Sequence, residues 1–347
     1  MTAKTLIVAP SWVGDAVMSQ PLLARLAATG CGPIDILAPG WVLAVYRRMA
    51  EVNDTLDNPF AHGQVRLRER WQFGRNLTQR AYQRAVVLPN SLKSALIPAF
   101  AGIPERIGFT GEARLGLLNR RHRLNADAVP LMVERFAQLA EAPGTLPLRP
   151  VPFPQLISTP EQQAETLAAI GEQRPDKLVI LCPGAEFGPA KRWPIRHFAE
   201  LAKILHQRHF AVWILGSKKD AEVGEAIAAQ SGHCCRNLCG NTNLEQAIDL
   251  LAMSTFVVTN DSGLMHVAAA VNRPLVALFG SSSPGFTPPL SQRAAILSLQ
   301  MPCSPCFKRD CPLGHLDCLE NIPPAHVLDA AEKLLQKTLN QALPPSP

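Results

Sequence analysis

Short apolar runs alternate with helix-period stretches along this chain, and that alternation is what most constrains the fold. The apolar runs occupy residues 5–10, 34–38, 84–89, 177–183, 210–215, 255–259 and 274–279. Most are apolar throughout rather than at every second position, as expected for strands buried on both faces of a parallel sheet. Helical periodicity fills residues 16–28, 195–206, 221–229, 244–253 and 264–271. The sequence therefore predicts an α/β fold with doubly wound parallel sheets.

A cluster of prolines divides the chain. Five prolines fall within residues 143–154, where they sustain neither a helix nor a central strand, so we predict a linker at 142–160. With 347 residues, 47% of them apolar, the chain is long enough for two domains. We expect an N-terminal domain over 1–155, a second domain over 156–323, and a C-terminal helix and tail over 324–347 that pack back toward the N-terminal domain. Two such domains facing each other across a cleft bind ligands beyond the carboxyl ends of their strands.

Composition excludes several classes of protein. Charged residues make up only 18% of the chain, which argues against wholesale disorder, and no apolar run approaches the ~18 residues of a membrane span. The N-terminus enters its first strand without the apolar core and cleavage site of a secretory signal, so we expect a cytoplasmic location. The nine cysteines are irregularly spaced, which favours reduced thiols over a disulfide framework.

Positive charge is concentrated in the first half of the chain. The formal net charge is +6, and residues 66–123 alone hold 12 basic against 3 acidic side chains. Such a stretch is either a solvated face or a surface for an anionic partner. Helix-turn-helix, zinc-finger and aromatic RNA-binding signatures do not accompany it, so we do not expect nucleic acid as the partner.

Two loops that follow predicted strands carry polar residues suited to chemistry. In the first, Gly14 allows close backbone approach, and Asp15 lies at a helix start, either as a capping acid or as a general base in the cleft. This loop lacks the Gly-x-Gly-x-x-Gly pattern, which disfavours a nicotinamide-dependent dehydrogenase. In the second, Lys191 and Arg192 precede a helix that opens at Pro194, a pattern that suits a phosphate unless the cations are simply solvated.

Two further loops also join a strand end to a helix start. Backbone N–H groups at 262–265 suit a diphosphate, and Asp261 then either accepts hydrogen bonds from sugar hydroxyls or only caps the helix. His266, taken alone, indicates a packed core histidine. Asn90 and Lys93 offer a weaker site for an anionic acceptor. Because Asp-x-Asp is absent from the sequence, we expect cations and helix dipoles to neutralise a leaving diphosphate, with no catalytic metal and no cofactor.

Taken together, these loops resemble the ADP-heptose:lipopolysaccharide heptosyltransferases of glycosyltransferase family 9, above all the members that add the second heptose. The matching segments are residues 10–15, 87–95, 100–104, 182–194 and 259–269. The resemblance implies a GT-B fold, with two Rossmann-like domains facing each other across a cleft. It further implies inverting transfer of L-glycero-D-manno-heptose from ADP-heptose to heptosyl-Kdo2-lipid A, in peripheral contact with the anionic lipids at the inner face of a Gram-negative inner membrane. The alternatives are heptosyltransferase I activity on Kdo2-lipid A and a non-catalytic protein that binds lipopolysaccharide precursors.

The resemblance also assigns roles to individual residues. Asp15 matches the catalytic base, and Glu222 is matched to the acid that binds the ribose. The implied donor-binding residues are Lys191 and Arg192 for the phosphates, Glu222, Asp261 for the heptose, and Ser262, Gly263 and His266 beside the diphosphate. The basic stretch becomes the acceptor face, because Kdo carboxylates and lipid A phosphates are anions. Its candidate residues are Asn90, Lys93, Arg120 and Arg121.

One segment fits no part of that scheme. Cys303, Cys306, Cys311 and Cys318 fall within sixteen residues, with His315 between the last two. This spacing permits a zinc or iron–sulfur site, unligated thiols or stress-formed disulfides. Related heptosyltransferases do without the cluster, so we do not expect it to take part in catalysis.

Overall fold

The chain forms two compact units, each built on one parallel sheet. A computed structural model describes residues 3–60 and 63–342, with side chains as far as residue 338. The units are Met1–Leu156 and Ile157–Pro347, and each contains a six-stranded sheet in which all neighbouring strands are parallel. The predicted α/β class is confirmed.

The first unit has the strand order of a Rossmann fold. Its elements are β1 (Thr5–Val8), α1 (Val13–Met18), α2 (Gln20–Ala28), β2 (Ile34–Ala38), α3 (Gly40–Tyr46), β3 (Val52–Asp57), α4 (Leu67–Leu77), β4 (Arg84–Val87), α5 (Leu92–Phe100), β5 (Glu105–Phe109), β6 (Arg120–His122) and α6 (Met132–Gln138). The sheet order is β3-β2-β1-β4-β5-β6, the arrangement of dinucleotide-binding folds.

The second unit repeats that order. Its elements are α7 (Pro160–Ala169), β7 (Leu178–Cys182), α8 (Ile195–Gln207), β8 (Ala211–Ile214), α9 (Ala221–Gln230), β9 (Arg236–Asn237), α10 (Leu244–Met253), β10 (Phe256–Asn260), α11 (Gly263–Ala270), β11 (Leu275–Phe279), β12 (Ala294–Ser298), α12 (Asp317–Glu320) and α13 (Pro324–Ala342). The sheet order is β12-β11-β10-β7-β8-β9. Counted from β7, this is the same Rossmann order, so each unit has its own switch point beside its first strand.

The central strands form because their side chains are apolar on both faces. Leu6 and Ile7 in β1, and Val179 and Ile180 in β7, are fully buried. Burial of such a side chain contributes about 1.5–3 kcal/mol. Helices cover both faces of each sheet, so the polar loops are left at the strand ends, where ligands bind in this architecture.

Five strands were not predicted: the edge strands β3, β6, β9 and β12, and β5, which lies between β4 and β6. β6 reads Arg-Arg-His and β9 reads Arg-Asn, so both lack the apolar run of a central strand. β3 and β12 are half-exposed along their length, and β5 begins with two charged residues. The helix predicted at 16–28 is two helices, α1 and α2, which meet at Ser19. The Ser19 hydroxyl donates to the Ala16 carbonyl at 2.7 Å and lies 3.1 Å from the Tyr46 hydroxyl, which favours ending α1 there.

The C-terminal helix α13 packs within the second unit, against α8, β11 and β12. The proline-rich tail predicted after it, at 343–347, lies outside the described residues. Among the residues that are described, no helix has both the length and the apolar character needed to cross a bilayer.

Candidate functional site

Two loops of the second unit are neighbours because of strand register. β7 and β10 pair in parallel with Cys182 opposite Thr259, so the chain leaves both strands at the same edge of the sheet. Buried Asn260 then joins the loops, because its Oδ1 accepts from the Trp193 backbone N–H at 3.0 Å and its Nδ2 donates to the Pro183 carbonyl at 2.7 Å. Both ends of the Lys191 loop are thereby fixed to the end of β10.

An ion pair lies at the centre of this edge. Lys191 Nζ is 2.5 Å from Asp261 Oδ2, and the Ser282 hydroxyl donates to the same oxygen at 2.5 Å. Asp261 is 5% exposed and Lys191 is 16% exposed. A carboxylate this buried is stable only with such partners, while Lys191 keeps some contact with solvent and with any ligand that enters.

The residues around the pair favour an anion. Ser262 precedes α11 without forming a side-chain cap, so the first backbone N–H groups of the helix are open to an external acceptor. His266 lies one turn into α11 and is buried; burial lowers its pKa to about 4, with Lys191 adding to the decrease and Asp261 opposing it. His266 is therefore neutral at neutral pH and repels no cation beside it.

The two adjacent cations point to different acids. Arg192 lies 3.6 Å from Asp220, not beside Asp261. Asp220 also accepts from the Ser217 backbone N–H at 2.9 Å and from the Ser217 hydroxyl at 2.7 Å. Its carboxylate is thus committed to the loop that follows β8. Glu222, in the first turn of α9, is exposed, and the structure does not bring it into contact with Lys191 or Asp261.

In the first unit, Asp15 lies in the first turn of α1, after the end of β1. Desolvation raises the pKa of its carboxyl from 3.8 to about 6. Among residues 3–60 and 63–342, no group donates a hydrogen bond to this carboxylate. A poorly solvated carboxylate without a donor is a stronger base than an ordinary aspartate.

The loop that carries Asn90 and Lys93 leaves the sheet at the same edge as the loop that carries Asp15, because β1 and β4 pair with Val8 opposite Val87. Asn90 is exposed and Lys93 half-buried. The Asn90 Oδ1 accepts from Arg114, which fixes the direction of the amide. Three predicted residues, Asp15, Asn90 and Lys93, are therefore on neighbouring loops at one edge of the sheet.

The basic stretch is only partly available to a ligand. Arg114 is buried and donates to the carbonyls of Pro89, Phe109 and Gly111. Arg70 is likewise buried and donates to backbone carbonyls. Arg120 lies opposite Ile107 in the middle of β5, and its side chain is paired with Glu105 at the start of that strand. Seven of the twelve cations are exposed or half-exposed and carry no salt bridge that the structure shows: Arg66, Arg68, Arg75, Lys93, Arg106, Arg121 and Arg123. Of these, Arg106 donates to the backbone carbonyls of Ile103 and Leu117.

Sequence reasoning missed three residues that shape the second unit's site: Asn260, Ser282 and Asp220. Asn260 lies inside the matched segment, yet nothing in its spacing shows that it joins two loops. Ser282 follows the predicted strand at 274–279, so the strand-end rule that found Asp261 identifies it too. Asp220 differs from Glu222 by its burial and by its contacts with Ser217 and Arg192, which the sequence does not display.

Comparisons with known proteins give the family of the chain. The model of glycosyltransferase family 9 (heptosyltransferase) matches residues 70–317. The chain is 46% identical to the lipopolysaccharide heptosyltransferase 2 of Escherichia coli K12, covering 96% of this chain and 98% of the relative. It is 46% identical to the lipooligosaccharide heptosyltransferase 2 of Haemophilus influenzae, covering 96% and 99%.

A solved structure gives the same result for the fold. The E. coli ADP-heptose lipopolysaccharide heptosyltransferase II superposes with a TM-score of 0.87 at 44% identity, covering 97% of this chain and 99% of that one. The expected GT-B type of fold is confirmed by this match. With that likeness and the family match over residues 70–317, the chain belongs to glycosyltransferase family 9, the heptosyltransferases.

Proposed function

We propose that this heptosyltransferase moves L-glycero-D-manno-heptose from ADP-heptose to heptosyl-Kdo2-lipid A, with inversion at the anomeric carbon. The observation that carries the donor assignment is the Lys191–Asp261 pair beside the uncapped start of α11. It puts a cation, uncapped helix N–H groups and a buried carboxylate at one edge of a Rossmann sheet. The relatives named above support the choice of heptose and of the second-heptose acceptor.

Within the donor site, each group has a chemical task. Lys191 and the first N–H groups of α11, including that of Gly263, hold the diphosphate, and Asp261 accepts hydrogen bonds from heptose hydroxyls. Ser262 and His266 line the same site. Glu222 binds the ribose hydroxyls, which its exposed carboxylate is free to do, whereas Asp220 is already bound to Ser217. Arg192 acts at longer range through the loop that follows β8.

Asp15 is assigned as the base. The acceptor hydroxyl attacks the anomeric carbon as the bond to the diphosphate breaks, and Asp15 takes the hydroxyl proton in the same step. A pKa of about 6 leaves Asp15 ionised at neutral pH and makes it a better proton acceptor than an ordinary aspartate. The transition state is oxocarbenium-like, and the charge that develops on ADP is stabilised by Lys191 and the α11 N-terminus.

The first unit is assigned to the acceptor, at the cytoplasmic face of the inner membrane. Asn90 and Lys93 share a sheet edge with Asp15, and the exposed Arg121 and Arg123 supply positive charge. Arg120 contributes through its position in β6. The start of α4 adds an apolar element. Leu67, 56% exposed, lies between the exposed Arg66 and Arg68, and Trp71, 53% exposed, follows one helical turn after Arg68. Tryptophan and arginine side by side suit the interface of an anionic bilayer.

The choice among acceptors is tested by ADP release. We expect turnover with heptosyl-Kdo2-lipid A and little with Kdo2-lipid A, since the second heptose needs the first as its acceptor. Preference for Kdo2-lipid A would indicate heptosyltransferase I activity. Binding of both acceptors without ADP release would indicate the non-catalytic alternative.

Replacing Asp15 by asparagine distinguishes its role as a general base from a role as a helix-capping residue. We expect Asp15→Asn to lose roughly 10²–10⁴ in kcat while ADP-heptose still binds, as measured by calorimetry. In the wild type, kcat/KM should fall as the pH drops below about 6, where Asp15 becomes protonated.

Stability gives the second half of that test. The folded pKa of Asp15 is raised above its unfolded value of 3.8, so protonation favours the folded state and ionisation above about pH 6 costs stability. Asp15→Asn should therefore be more stable than the wild type at neutral pH, and the difference should vanish toward pH 4. A variant that is less stable and has unchanged kcat would support the capping role instead.

Lys191 and Arg192 are distinguished by paired alanine variants. Lys191→Ala should lower kcat by roughly 10²–10³, as loss of one transition-state donor does, and raise KM for ADP-heptose. Arg192→Ala serves as the matched control and should change kcat less, because Arg192 points to Asp220. A larger kcat loss for Arg192→Ala would reverse the two assignments.

The acceptor assignment predicts a dependence on salt. Interactions with a charged surface contribute about 1 kcal/mol per well-placed cation and are screened over ~8 Å at physiological salt. We expect added salt to raise KM for the acceptor more than KM for ADP-heptose. The double variant Arg121→Glu/Arg123→Glu should mimic high salt, whereas Lys203→Glu, at an exposed position of α8, should not. If both charge reversals change KM for the acceptor equally, the basic stretch at residues 66–123 is only a solvated face.

A further inference from the structure

The four clustered cysteines surround one cavity in the second unit. Cys303, Cys306, Cys311 and Cys318 all line a space of about 20 Å³, and His315 lines it too. All four are free thiols. Residues 299–316 between β12 and α12 contain no helix or strand, so the sheet itself does not explain why four sulfurs face one cavity.

The backbone around the cavity is arranged to stabilise a thiolate. The backbone N–H groups of Leu313, Gly314, His315 and Leu316 are directed at the Cys311 sulfur. N–H donors to sulfur are the usual outer partners of cysteine metal ligands. Ser281, which also lines the cavity, is 1% exposed, and its hydroxyl has no hydrogen-bond partner among the described residues.

We propose that Cys303, Cys306, Cys311 and Cys318 bind one Zn²⁺ or Fe²⁺ ion through four thiolates. Four cysteine ligands form the closed tetrahedral site typical of structural zinc and of iron–sulfur proteins. Each thiol releases its proton to solvent as its sulfur binds the ion, and no electron is transferred. Among the described residues, no three His, Cys, Asp or Glu side chains are already arranged to hold a metal ion. Binding therefore requires the four sulfurs to move closer together. Cys303, Cys306 and Cys311 lie in a segment without helix or strand, and Cys318 lies in the first turn of the short helix α12.

The cysteine loop supports the loop that carries Lys191. The Arg309 carbonyl accepts from the Ala190 N–H at 3.0 Å, and a Cβ at Gly188 would lie 2.5 Å from that same oxygen. Phe187 has the Arg309 guanidinium 5.8 Å and the Lys191 ammonium 5.0 Å from its ring centre. A metal that fixes the cysteine loop therefore fixes Lys191, a consequence that rests on the proposed donor role of Lys191.

Metal content of the full chain tests the site without reference to activity. We expect the protein, purified from medium supplied with zinc and iron and then passed over a desalting column with EDTA, to retain about one metal ion per chain. Removing the metal with a stronger chelator under non-denaturing conditions should make four further thiols reactive toward a thiol reagent. Cobalt added to the stripped protein should give the visible absorption of tetrahedral cobalt–thiolate.

Variants complete the test. Cys306→Ser and Cys311→Ser should lose the metal, whereas Cys234→Ser, at another half-exposed cysteine of the same unit, should keep it. Stripped wild-type protein should show a raised KM for ADP-heptose with a smaller change in kcat. Absence of metal and of the cobalt–thiolate absorption in the wild type, or metal retained by both loop variants, would overturn the site. If the wild type holds the metal but stripping leaves KM for ADP-heptose unchanged, the metal site is supported and its effect on the Lys191 loop is refuted.

Discussion

The Lys191–Asp261 ion pair exists because β7 and β10 are hydrogen-bonded neighbours in a parallel sheet. That register brings two loops, far apart in sequence, to one edge, and Asn260 joins them through the Trp193 N–H and the Pro183 carbonyl. Taking two charges out of water costs several kcal/mol for each ion. The cost is offset here by the second donor to Asp261, from Ser282, and by the residual exposure of Lys191. A diphosphate bound under the proposed function gives Lys191 a second anion, while Asp261 keeps its hydroxyl donor.

Asp15 shows the opposite balance. Its place in the first turn of α1 is favourable for a negative charge, yet a helix dipole contributes only ~0.3–1 kcal/mol at an end. The rise of its pKa to about 6 means that desolvation exceeds this effect. The fold therefore holds a carboxylate where its charged form is disfavoured, which is the pattern expected of a group retained for proton transfer rather than for stability.

The central architecture was predictable because buried strands show as continuous apolar runs. The edge strands were not, since β6 and β9 consist of polar residues paired only on one side. The site loops were found by their place after strands, a rule that depends on topology alone. The other assignments depend on contacts that the sequence does not show. Asp220 and Glu222 are two residues apart, yet Asp220 is buried against Ser217 and Arg192, whereas Glu222 is exposed.

The basic stretch shows why counts of charge cannot locate a surface. A guanidinium has five donors in a rigid fork, so it can hold loop carbonyls together as well as face an anion. Arg114 binds three backbone carbonyls around the end of β4, and Arg70 binds the segment before α4. Both are buried, and a membrane or acceptor gains little from either. Yet Arg114 also fixes Asn90, beside the loop that carries Asp15. A buried arginine thus shapes the candidate acceptor edge that its own charge does not reach. Under the proposed function, the exposed cations, Arg121 and Arg123 among them, provide the electrostatic attraction.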